Sequence, residues 1–172
     1  MTQELTDLRN SILEGRYDDA LFIVDELESM SKEDKINKIK SYLVRIMVHL
    51  IKNQIEKRLN NSWAASITDS IAEIKTTNLK DNKTSYYIKE EDWAILLEEA
   101  MGRAIRLAAV EVQGGKLRPP QVSAMIDKNQ LIQTAENLLN LTYQYSGNTL
   151  LDMVDNYLVQ LPGGEDWQLG SN

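Results

Sequence analysis

The sequence predicts an all-α fold, an irregular bundle of about seven helices around a long central helix. Three observations carry this. All three prolines lie late, at Pro119, Pro120 and Pro162, so the first 118 residues hold none to interrupt a helix. Apolar residues recur at spacings of three and four, the period of one helix face. No stretch alternates apolar and polar residues with β-branched enrichment long enough for a strand.

The first helix is expected over residues 2–14, with Leu5, Leu8 and Ile12 on one side and Gly15 as its stop. A second covers residues 17–30, with Ala20, Leu21, Val24 and Leu27 inward. Its first turn carries Asp18 and Asp19, which favour the positive end of the helix dipole. Ser31 reads as an N-cap, its hydroxyl oxygen placed to accept a bond from the next turn. The third helix then runs to about residue 58. Ile36, Ile39, Leu43, Ile46 and Leu50 share one side, widened by Val44, Met47, Val48, Ile51 and Ile55. Lys38, Tyr42, Arg45, His49, Lys52, Asn53 and Glu56 take the opposite arc.

Asn60, Asn61 and Ser62 cap a fourth helix, whose inner row is Trp63, Ile67, Ile71 and Ile74. Residues 78–87 are polar and give the best internal hinge. A fifth helix starts near Ile88, with Trp93, Leu97, Ala100, Met101, Ala104, Leu107 and Ala108 as its stripe. Residues 114–120 form a loop. Two further helices are expected at residues 121–145, with a split near Asp127, and at residues 149–161. Residues 1–161 read as a single helical domain and residues 162–172 as a loose C-terminal tail, unless Trp167 anchors it.

Composition narrows the chemistry. The chain has 172 residues, 42% apolar and 26% charged, ordinary values for a globular domain. It contains no cysteine, which excludes disulfides, thiol nucleophiles and thiolate metal sites and suits a cytoplasmic location. No signal peptide is visible, and no apolar run approaches a membrane span. The formal net charge of −7 speaks against nucleic acid as the main partner. Residues 32–58 reverse that sign, with eight basic residues against three acidic, a net +5.

Few residues offer a site. His49 is the single histidine and stands on the polar arc, either a base or a hydrogen-bonding surface residue. The carboxylates Asp18, Asp19, Asp25, Glu26 and Glu28 suit a solvated face or a divalent cation, but no Glu-x-x-His motif accompanies them. Gly114-Gly115-Lys116 lacks the earlier glycine and the following Ser or Thr of a phosphate loop, so it reads as a turn. Trp167, in a polar tail, suits a partner contact.

The run Leu8-Arg9, Gly15-Arg16-Tyr17-Asp18-Asp19 and Val24-Asp25-Glu26-Leu27-Glu28-Ser29-Met30 forms one recognisable block. Leu43-Val44-Arg45-Ile46-Met47-Val48-His49-Leu50-Ile51-Lys52 forms a second, and Ser62-Trp63 with Ile67 and Ile71 a third. In that order and spacing they resemble the bacterial Domain of Unknown Function 29 family over residues 8–75. The resemblance implies an all-α fold and carries over no activity, catalytic residue or ligand.

The expectation is therefore a non-enzymatic protein–protein interaction or assembly module without a cofactor. It works with a protein partner or as a homodimer, and not at a membrane. Lys38, Arg45, His49, Lys52 and Trp167 are its candidate interaction surface. A regulatory nucleic-acid binder using the basic helix face is the second expectation, and a carboxylate–metal enzyme the third.

Overall fold

A computed structural model describes residues 2–170. Among them are eight α-helices and no strand. They are α1 (Gln3–Leu13), α2 (Tyr17–Glu56), α3 (Asn61–Asn78), α4 (Trp93–Ala109), α5 (Pro119–Met125), α6 (Lys128–Asn140), α7 (Gly147–Leu158) and α8 (Gly164–Gln168). Short 3-10 turns join several of them. The chain divides into two compact units, Met1–Asn37 and Lys38–Asn172.

The first unit is a helical hairpin. Thr2 caps α1 through its hydroxyl oxygen, which accepts the Leu5 N–H. Gly15 turns the chain at φ +74°, a conformation that suits a residue without Cβ. Ser11 and Ala20 are buried in this unit.

Helix α2 runs unbroken for 40 residues. The expected break at Ser31 is absent, and Ser31 is an interior helical residue rather than an N-cap. The reason is local. Serine lowers helix propensity by only a few tenths of a kcal/mol, and residues 16–56 contain neither glycine nor proline to end a helix. Glu28 and Lys32, then Asp34 and Lys38, are spaced four apart with the acid first, the spacing that supports a continuing helix. The helix stops where Lys57 takes a left-handed φ of +53° and Asn53 donates its amide to the carbonyls of Arg58 and Pro162 at 3.0 and 2.8 Å.

The second unit holds the core. Ile39, Leu43, Ile46, Met47, Leu50 and Ile51 of α2 are fully or almost fully buried, as are Ile67, Ile71 and Ile74 of α3 and Trp93 and Leu97 of α4. Helix α3 packs on α7, and α4 on α5 and α6. Asn60 caps α3 by accepting the Trp63 N–H at 2.8 Å, and Asp127 caps α6 by accepting the Gln130 N–H at 3.1 Å, so the chain splits at Asp127 as its sequence suggests.

The polar stretch expected to be a hinge is a tied loop. The buried Asn78 side chain accepts the Ile88 N–H at 2.7 Å and donates to the Ile88 carbonyl at 2.9 Å. Leu79 and Tyr86 form an antiparallel bridge, and Asn82 closes the tip by accepting the N–H groups of Thr84 and Ser85. The polar side chains of this stretch serve its internal hydrogen bonding. The C-terminal segment carries a further short helix. Helix α8 follows a tight turn at Gly163 (φ +73°), where a Cβ would stand 2.6 Å from the Arg58 Cα. Trp167 anchors it by donating its indole N–H to Asn61 at 2.8 Å. Residues 171 and 172 of the expected tail lie outside the described residues.

Ser31→Ala provides a direct check on the continuous helix. A capping serine costs about 1 kcal/mol on replacement by alanine, whereas an interior one gains a few tenths of a kcal/mol. Urea unfolding is expected to show unchanged or slightly raised stability. A loss near 1 kcal/mol would restore the break.

Candidate functional site

Two features stand out, one in each unit. In the second unit, α2 and α4 line an open cleft of about 450 Å³, within the range of ligand and peptide pockets. Ser41, Val44, Arg45, Val48 and His49 come from α2, and Arg103, Leu107, Val110 and Glu111 from α4 and its end. Leu107, expected on the inner stripe of its helix, is exposed in this cleft, as is Val110.

The candidate residues of α2 have unlike environments. Lys38 is exposed. Arg45 is exposed and pairs with Asp69 at 3.1 Å, a contact worth little in water. Lys52, expected on an open surface, is buried, with its side chain 7% exposed. Its ammonium donates to Glu111 at 2.6 Å and lies 4.8 Å from the centre of the Trp63 ring. The helical arc reads as polar because it ends in a charge, but the long aliphatic stem of lysine packs against apolar neighbours. Asn53 on the same arc is buried for a different reason, since its amide closes the end of α2.

His49 is half-buried, and its Nδ1 makes no hydrogen bond. Burial, reinforced by the Lys52 and Arg45 charges and opposed by Glu111, pushes its pKa down to about 4. The imidazole is thus neutral at neutral pH. Ser41 lines the same cleft eight residues earlier, about 12 Å along the helix at 1.5 Å per residue. That is too far for a nucleophile–base hydrogen bond. Lys40 faces Glu99 at 4.0 Å and Arg58 faces Glu56 at 3.7 Å, so Lys40, Arg45, Lys52 and Arg58 each have a carboxylate partner. Trp167 lies in a different part of the unit, on Asn61.

The other feature is the hairpin. On one side, Asp7, Asn10, Ser11, Glu14, Arg16, Asp19, Phe22 and Ile23 form a polar groove. Arg16 is held there by Glu14 and Asp19, at 2.8 and 3.0 Å. By helical periodicity, Leu5, Leu8 and Ile12 of α1 and Tyr17, Leu21 and Val24 of α2 point away from that groove. The second face is apolar and open to solvent. On it Leu5, Ile12, Tyr17 and Leu21 are 42–65% exposed, while Leu8 and Val24 are half-buried. The sequence shows this face as an ordinary inner stripe, because periodicity cannot tell a face that is covered from one that is not.

No group of three His, Asp or Glu side chains among the described residues gathers into a cation site. No helix among those residues is long and apolar enough to cross a membrane.

Two measurements test the cleft. Glu111→Ala leaves the Lys52 ammonium buried without its carboxylate and is expected to cost about 1–3 kcal/mol in urea unfolding, while Lys52→Met, of similar volume, costs less. Equal losses would contradict the buried-ammonium reading. The second measurement is of pH dependence. The unfolded imidazole protonates near 6.5 and the folded one near 4, so His49 contributes stability above pH 6.5 that is lost as the pH falls toward 4. Thermal melts of His49→Gln should show a shallower loss than the parent over that window. Parallel profiles would place the imidazole in water.

The family comparison agrees with this architecture and extends it. The family model described as Domain of unknown function DUF29 matches residues 18–135, well past the 8–75 span of the sequence resemblance and through most of α6. Helix α1 precedes the matched region. No curated protein and no solved structure matches the chain. With more than half of its length matched by that model, the chain belongs to the Domain of unknown function DUF29 family.

Proposed function

We propose that this chain is a non-enzymatic protein-interaction and assembly module, with the N-terminal hairpin as its docking element. One observation carries the reading. Among the described residues of the first unit, only Ser11 and Ala20 are buried, while Leu5, Ile12, Leu13, Tyr17, Leu21, Phe22 and Met30 are 42–73% exposed.

The physics of small helices supports it. An isolated helix of 11 residues, the length of α1, is marginal in water, and most helical stability comes from burying an apolar face. Two small buried side chains contribute little, and Leu8, Ile23, Val24, Leu27 and Ile36 are only half-buried, so the hydrophobic gain, which scales with apolar area, is incomplete. A contiguous exposed apolar face on a soluble surface marks an interaction site more often than it marks nothing. A partner helix laid on this face supplies the missing layer. A homodimer is one form of the reading, in which the second hairpin supplies it.

Site-specific photo-crosslinking in cells tests the module. A photoreactive side chain at position 21, on the apolar face, is expected to give a discrete crosslinked protein species. The same group at position 169, exposed in the second unit, should give none. No product at position 21 in a folded chain, or the same products at both positions, would remove the hairpin as a docking element. Sedimentation equilibrium at high micromolar concentration then separates the forms. A strict monomer excludes the homodimer and leaves a different protein as partner.

A further inference from the structure

We infer that the cleft between α2 and α4 binds a small organic monocarboxylate with an apolar body. The inference concerns the second unit alone and stands apart from the docking role of the hairpin.

The first support is an apolar lining that is still open. Val44 and Val48 of α2 are buried, but Leu107 and Val110 in the same lining are 46% and 72% exposed. Apolar area left in water is unfavourable, and one ligand seated in the cleft covers both side chains. The volume of about 450 Å³ suits a single small molecule.

The second support is charge. The cleft is lined by Arg45, Arg103 and Glu111. Glu111 is already matched by the buried Lys52 ammonium at 2.6 Å, and Arg45 by Asp69 at 3.1 Å. Arg103 has no ion pair or hydrogen bond among the described residues. With both partners included, three cations meet two carboxylates, a net +1 in a chain whose total is −7. The surroundings do not reverse that sign. Lys40 and Glu99 face each other at 4.0 Å, and Arg106, outside the lining, is a further cation of α4. The His49 imidazole is neutral at neutral pH and adds no charge, but it can exchange one hydrogen bond with a ligand.

These features select among ligands. A carboxylate sets one negative charge against the one guanidinium without a partner, and its two oxygens match the planar fork of arginine. Arg45 can share it at little cost, because its contact with Asp69 is exposed and worth little in water. A phosphate monoester brings close to two charges and leaves one unmatched. A cationic ligand is repelled by Arg103, and a neutral one forgoes the charge-assisted bond. The carboxylate belongs either to a free acid or to the C-terminus of a peptide that ends in apolar residues.

The test is an NMR titration of the full, nitrogen-labelled chain, which reads affinity and place together. The probes are naphthoate, the neutral naphthamide of the same shape, and acetyl-leucyl-leucine with a free carboxylate. Naphthoate is expected to bind with a Kd of about 0.1–1 mM, the range for a ligand of about a dozen non-hydrogen atoms. The shifts should centre on amides of residues 41–49 and 103–111. Naphthamide should bind about tenfold more weakly, for want of the charge-assisted bond. Arg103→Gln should remove that preference and Arg103→Lys should keep part of it, while Leu107→Gln should weaken both probes. Both positions are exposed, so the fold does not depend on them. Leu21→Gln on the hairpin should change nothing. Binding of the dipeptide at the same amides, tighter than naphthoate, assigns the carboxylate to a peptide end, and weaker binding assigns it to a free acid.

Equal binding of naphthoate and naphthamide would overturn the inference, as would a preference that survives Arg103→Gln. Shifts confined to the hairpin would overturn it too. So would the absence of shifts in the cleft at about 10 mM naphthoate, at least tenfold above the expected Kd.

Discussion

Hydrophobic burial along α2 is the constraint on which the rest of the molecule depends, and it is distributed unequally. From Ile39 onward the helix buries residue after residue, with Ile39, Leu43, Ile46, Met47, Leu50 and Ile51 at 2% exposure or less. Over residues 17–37 the same unbroken helix fully buries only Ala20. Helix geometry propagates from the supported half to the other, because extending an existing helix by one residue is far easier than starting one. Burial does not propagate in that way. The first half therefore holds its apolar row, Tyr17, Leu21, Val24 and Leu27, in helical register without a core to receive it.

The supported half is held on several sides. Its apolar side meets the core. Its polar flank is closed by Lys52 on Glu111 and Trp63, and its C-terminal end by Asn53 on two carbonyls. Even the polar loop after α3 is internally bonded through Asn78. Against that background the hairpin is the exception. Arg16 is held by two carboxylates, but much of the hairpin's apolar surface is open. That open apolar face is the observation on which the proposed docking role rests.

Much of this was legible in the residues. Helix positions follow from spacing, and Asn60, Asp127 and Gly15 mark real termini because capping and left-handed turns have local chemical requirements. Most of the family blocks lie in the stretches that become α2 and α3, with Leu8 and Arg9 in α1, and the model match covers residues 18–135. Ser31 misled because a capping residue is also tolerated inside a helix, and only the φ and ψ of the chain decide which role it has. Lys52 misled because a helical wheel sorts side chains by their ends and not by their stems. The cleft residues Arg103 and Glu111 could not be paired with His49 and Lys52 in advance, since that juxtaposition is tertiary and separated by more than fifty residues. The openness of the hairpin face was hidden for the same reason, as a periodic stripe looks identical whether or not another layer covers it.

The central claim is that α2 is one helix with a supported and an unsupported half. Residue-resolved amide hydrogen exchange on the full chain tests it most directly, because protection reports the local free energy of opening. The account predicts that amides of residues 17–35 exchange orders of magnitude faster than those of residues 39–53, despite the same helical conformation. Uniform strong protection along the whole of α2 would contradict it, because the hairpin would then be stable without a partner and its apolar face would need none.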